Sequence, residues 1–181
     1  PLLPALARPG RDPWAVVVGP FSTKGQPLIV IDSETYLIGP GRVCPKAVSF
    51  QFCDERKTPW MLSASDPTVE AEIANALSNE LIVGQNIAFD MGVIAHNFPK
   101  LQPLIWSAYN EGRVLCTMVL EKLIAVAHGW VNSDPRTGGQ LRFSLAHLAH
   151  AYLGIEVEGK TEADAWRYRF RELDGVPLDR W

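Results

Sequence analysis

Two short clusters hold residue types from which catalysis could be built. Asp32-Ser33-Glu34 stands where the apolar run Leu28-Ile29-Val30-Ile31 ends. If that run is a strand, Asp32 and Glu34 project to one face. Adjacent carboxylates at the end of an apolar strand repel each other and resist desolvation. The triplet contains no Lys or Arg. A hard divalent cation, bound through carboxylate oxygens, supplies the missing charge. The competing reading is an acidic turn helped by Ser33 and Thr35. The second cluster is Gly84-Gln85-Asn86-Ile87-Ala88-Phe89-Asp90, after another apolar run. Asn86, Phe89 and Asp90 fall at i, i+3 and i+4, on one helical face that Val93 and Ile94 continue inward. Asp90 is then an acid on an apolar face, where an unpaired charge is unfavourable. A metal shared with Asp32 and Glu34 resolves both anomalies. The helix dipole alone would explain the charge of Asp90 but not its neighbours.

Other candidates carry bland alternatives. His147 and His150 have helical spacing suited to a metal, yet a third ligand is lacking, which favours exposed or hydrogen-bonded histidines. His96 suits a helix C-terminus. From Arg136 to Arg171 six basic residues face four acids. That reads equally as a phosphate-binding track or as a solvated helix face. Phe89 and Trp166 could stack on a base, although such aromatics more often belong to a core. Cys44, Cys53 and Cys116 form no C-x-x-C pair, so buried reduced thiols are expected rather than a zinc site.

The elements that must position these residues follow from hydrophobic period. Strands are expected at 28–31, 48–52, 60–62 and 81–83, the first buried on both faces. A helix opening at Asp66-Pro67 carries Val69, Ile73, Ala76 and Leu77 on one face and ends near Asn79. Further helices are expected at 87–96, 117–127, 144–153 and 161–171, the last with a Thr161/Asp164 capping box. Residues 134–139 read as a flexible surface loop. Residues 1–26, with five prolines, read as an extension or linker with a short strand at 14–18, and 27–181 as one domain. Strands first clustered, then alternating with helices, indicate a mixed α/β sheet with helices on its faces.

Composition sets outer bounds. The chain has 181 residues, 47% of them apolar, and a net charge of −3. Disorder and nucleic-acid binding by bulk positive charge are excluded. No apolar run nears the roughly 18–20 residues of a membrane span. With no signal-peptide pattern, a cytoplasmic location, in a bacterium or phage-infected host, is expected.

These residues resemble a known family. Asp32-Ser33-Glu34-Thr35 is similar to the first motif, D-x-E-T, of the DnaQ-like (DEDD) 3′–5′ exonucleases, and Asn86-Ile87-Ala88-Phe89-Asp90 to their second, N-x-x-F-D. Ile31 to Pro45, Phe98-Pro99, Phe143-Ser144-Leu145-Ala146, Lys160 and Leu173 to Trp181 resemble proofreading domains of phage and bacterial family A DNA polymerases. The likeness spans roughly residues 28 to 181. It implies an RNase H-like fold and hydrolysis at single-stranded DNA 3′ ends with two Mg²⁺ or Mn²⁺ ions about 3.5–4 Å apart. Asp32 would bridge the ions, Glu34 would bind the nucleophile-side ion and Asp90 the second. Thr35, Asn86, Phe89 and Lys160 would contact nucleic acid, and a polymerase domain would follow in the parent chain. The third motif, Y-x-x-x-D or H-x-x-x-x-D, has no match; Tyr168/Glu172 and Tyr152/Glu156 give only Y-x-x-x-E. The reading is that the chain stops before it, leaving a poor catalyst. The rivals are a stand-alone DEDD nuclease acting on RNA and a DnaQ-fold module that has lost catalysis and binds nucleic acid or a partner protein.

Overall fold

Leu28-Ile29-Val30-Ile31 is rich in β-branched residues, which fit a pleated surface. It begins strand β1 (Leu28–Thr35). Parity then divides the strand: Ile29, Ile31 and Ser33 are buried, while Val30 is 38% exposed and Asp32 faces solvent. Burial on both faces, expected of this run, is not found; the core takes one face. The computed structural model describes residues 25–41, 44–157 and 168–180. Most of the Pro-rich start, with the strand expected at 14–18, lies outside them, as do the Thr161/Asp164 cap, Lys160 and Trp166.

The sheet is mixed and five-stranded, in the order β3-β2-β1-β4-β5. β2 (Ala47–Asp54) lies antiparallel to β1 and to β3 (Pro59–Ser63), whereas β4 (Leu81–Gly84) and β5 (Val114–Cys116) run parallel to β1. Helices α1 (Val69–Asn79), α2 (Ile87–Asn97) and α3 (Gln102–Asn110) bury one apolar stripe each. That of α1 is Val69, Ile73, Ala76 and Leu77, the stripe expected from its period. These residues join Ile29, Ile31, Phe50, Phe52, Ile82 and Ile94 in one core cluster. Each fully buried large apolar side chain contributes roughly 1.5–3 kcal/mol before entropy is counted. α4 (Thr117–Ala127) and α5 (Leu145–Leu153) follow.

Several expectations need correction. α1 starts at Val69, not at Pro67, because the Asp66 carboxylate accepts from Thr68 N–H and Oγ–H and holds a turn before it. α3 and β5 have no counterpart in the expected elements. β5 spans three residues, too short for a period to register. The helix expected at 161–171 is not continued through its described end, where Phe170–Leu173 forms a 3₁₀ turn against β1 and β2. The thiols of Cys44, Cys53 and Cys116 are free, and half-buried rather than buried.

Candidate active site

Gly84, at the end of β4, sets the geometry. A Cβ there would lie 2.5 Å from the tip of Ile87 and 3.0 Å from the Ile31 carbonyl oxygen. Glycine lets the chain pass close to β1 one residue before Asp32 and turn at once into α2. Asn86 makes that turn with φ of 58°, in the left-handed region where Asn is among the favoured non-glycine residues. It therefore precedes α2 and is exposed. The face shared by Asn86, Phe89 and Asp90 is not formed, since the helical register begins only at Ile87.

Phe89 and Asp90 stay in the first turn of α2, and Asp90 is 3% exposed. Its Oδ1 accepts two hydrogen bonds from Ser33, one from the backbone N–H at 3.0 Å and one from Oγ–H at 2.6 Å. The middle residue of the D-x-E triplet thus faces the core and ties the two motifs together. Its place between Asp32 and Glu34 is visible in the sequence, and strand parity turns it to the opposite face. Burial pushes the Asp90 carboxyl up to about 6; the Ser33 hydrogen bonds oppose this, and the charge of Asp32 reinforces it. Asp32 faces outward from β1, and Glu34 is half-buried. Glu34, Thr35, Tyr36, Leu37, Ile38 and Phe89 line, with Ser33, a cleft of about 360 Å³. Thr35 Oγ–H donates to the Tyr36 carbonyl.

Both motifs therefore meet at one end of the sheet, around Ser33. Among the described residues, no three His, Cys, Asp or Glu side chains form a ready-made metal cage. The donor chemistry nevertheless fits a hard cation: a buried acid held by neutral donors, with two further acids on the adjoining strand.

A second ionisable group lies between α4 and α5. Asp134 is fully buried; Arg136 binds its carboxylate through Nη2 at 2.7 Å and Nε at 2.9 Å, and His147 Nε2 lies 2.8 Å from it. Arg136 also pairs with Glu121, which accepts from Tyr152 O–H at 2.7 Å. Hydrogen bonds from Arg136 hold the Asp134 carboxyl below the usual range, while burial and Glu121 push the Tyr152 hydroxyl up to about 12. The segment 134–139, expected to be a flexible surface loop, is anchored here. Asp134 lies 13 positions from His147, so no local pattern announced the contact. His147 and His150 are hydrogen-bonded or ion-paired, His150 to Glu156. Arg136 is thereby withdrawn from any basic track. Neither Y-x-x-x-E pair offers an uncommitted acid, since Glu156 meets His150 and Glu172 meets Arg169.

Residues 22–179 match the family model of the 3′–5′ exonucleases. No curated protein matches the chain significantly. The Aedes aegypti Nibbler EXO domain superposes with a TM-score of 0.54 at 14% identity, covering 86% of this chain and 73% of that one. Brucella melitensis NrnC, bound to pGG, gives 0.52 at 17%, covering 84% and 74%. E. coli Exonuclease I with a dT13 oligonucleotide gives 0.50 at 18%, covering 82% of this chain and 39% of its own. These likenesses bear out the RNase H-like, DnaQ-type sheet. With the family match over most of its length, the chain belongs to the DEDD 3′–5′ exonuclease family.

Proposed function

We propose that the protein removes nucleotides from the 3′ end of single-stranded DNA by metal-assisted phosphodiester hydrolysis, as the proofreading partner of a polymerase. The observation that supports this best is Asp90, buried yet held by neutral donors, two of them from Ser33, beside the part of β1 that carries Asp32 and Glu34. Mg²⁺ or Mn²⁺, when bound by Asp32, Glu34 and Asp90, supplies the Lewis acidity that ionises water and stabilises a leaving oxygen. The chain's own groups do the rest. Ser33 fixes the Asp90 rotamer and offsets part of its burial penalty. Phe89 and Tyr36 offer aromatic surface to a terminal base in the cleft. The dT13 oligonucleotide held by Exonuclease I supports a single-stranded DNA substrate.

No third-motif acid is present in this sequence, so binding should exceed catalysis. A 3′-recessed ladder from a 5′-labelled oligodeoxynucleotide is expected to form slowly in millimolar Mn²⁺, to cease in chelator and to be absent in Asp32→Ala. A matched RNA oligonucleotide should be shortened more slowly. Failure of the wild-type protein both to bind and to shorten single strands would favour a protein-binding module instead.

A further inference from the structure

A net-negative protein with an acid, Glu34, in its cleft repels the strand it must hold, so cations are needed beside that cleft. Arg113, Arg136 and Arg169 are each committed to acids. One cluster next to the cleft sets two cations against a single acid. Tyr36, which lines the cleft, has Lys46 Nζ 5.4 Å and Arg171 Cζ 5.8 Å from its ring centroid. Its hydroxyl donates to Asp174 Oδ2 at 2.6 Å, and Lys46 pairs with the same oxygen. Lys46 and Arg171 thus flank one ring whose hydroxyl meets a single carboxylate, which Lys46 alone pairs with, and the Lys46 side chain is 56% exposed. Lys46 also borders a larger hollow of about 880 Å³ with Cys44, His96 and Gln102. The cluster therefore bridges the carboxylate cleft and this second hollow.

We propose that Lys46 and Arg171, set about the Tyr36 ring, form a seat for a backbone phosphate of a single strand whose 3′ end occupies the carboxylate cleft. This rests on the nuclease reading and extends it to the strand's upstream path. Asp174 is a positioning residue, aiming Lys46 and Tyr36 while leaving the seat with a net positive charge. The residues involved come from 36, 46 and 171–174, too far apart in sequence for any motif to show.

The test is equilibrium binding of the 181-residue chain, without divalent metal, to a fluorescent dT12 strand and to a dT2 dinucleotide across 50–200 mM salt. For dT12, Lys46→Gln should lower affinity severalfold and flatten the slope of log K against log salt by about 0.7, one phosphate's share. Arg171→Gln should do the same, Lys46→Arg should restore most of the loss, and exposed Lys100→Gln should change nothing. The dinucleotide, lacking an upstream phosphate, should bind Lys46→Gln and wild type alike. A thermal melt confirms that each variant is folded. An unchanged slope in both variants, or an equal loss for dinucleotide and dT12, overturns the seat and leaves the nuclease reading standing. Absence of dT12 binding by the wild type overturns both.

Discussion

Asp90 and Asp134 are both almost completely buried acids, and their surroundings push them in opposite directions. Asp134 faces Arg136 and His147, and its carboxyl is driven down. Asp90 faces Ser33 donors and the charge of Asp32, and its carboxyl is driven up to about 6. Burial is the same; compensation differs. An acid that a neighbouring cation neutralises is part of the scaffold. A desolvated acid left to neutral donors stores unfavourable energy that a bound cation can release, so the contrast separates structure from function inside one small domain.

The largest effect should come from the compensated side. Arg136 joins Asp134 and Glu121 and stacks 4.5 Å from the Tyr152 ring and 4.9 Å from that of Trp130. Arg136→Met leaves two buried carboxylates without their cation, which typically costs about 3–5 kcal/mol. Urea unfolding at pH 7 should show this. A loss below about 1 kcal/mol would mean that the network is not a stability element.

Asp90→Asn should act with the opposite sign. A carboxyl raised from 3.8 to about 6 in the folded state favours folding while protonated, a contribution present below about pH 4 and lost as pH rises through 6. The amide keeps an acceptor for Ser33 and never ionises. The variant should therefore gain up to about 3 kcal/mol over wild type at pH 8, with the gain fading toward pH 4. Mn²⁺ should raise the wild-type melting temperature and raise that of Asp90→Asn much less. A pH-independent difference, or an equal Mn²⁺ response, would undo the contrast. Ser33→Ala is gentler: it deletes one of the two Ser33 donors to Asp90, costs about 1 kcal/mol and pushes the carboxyl further up. Its stability should begin to fall with pH at the same point and keep falling past pH 6.

The legibility of the sequence divides along the same line. Local pattern was enough for α1, whose four buried residues follow helical period, and for the D-x-E triplet at the end of β1. It was enough to bring Asp90 inward. It does not reveal that Ser33 carries the link, because a small neutral residue between two acids creates no charge anomaly of its own. Asp134 with His147, and Tyr36 with Asp174, join residues 13 and 138 positions apart. Neither pairing has a period, a spacing or a turn rule. Helical spacing puts Asn86 on the face of Asp90, a spacing that fails where the backbone turns left-handed before the first helical residue.

Glu172 completes the comparison with the smallest expected effect, since it has the cation but not the burial. Arg169 holds its carboxylate at 2.6–3.1 Å, and the two side chains are 46% and 54% exposed. Water screens such a pair, and the entropy of fixing two long side chains consumes most of what remains. Glu172→Gln should leave the urea midpoint and the Mn²⁺-induced rise in melting temperature where they are in the wild type. The substitution also probes the one Y-x-x-x-E pair that lies near the resemblance's third motif. An acid already neutralised by Arg169 is a poor ligand, because a cation would have to displace the guanidinium before gaining the oxygen. If Glu172→Gln instead weakens the Mn²⁺ response or stops 3′-end shortening, Glu172 is the fourth acid of the site. Neutralisation by a neighbouring arginine would then no longer distinguish scaffold from active centre.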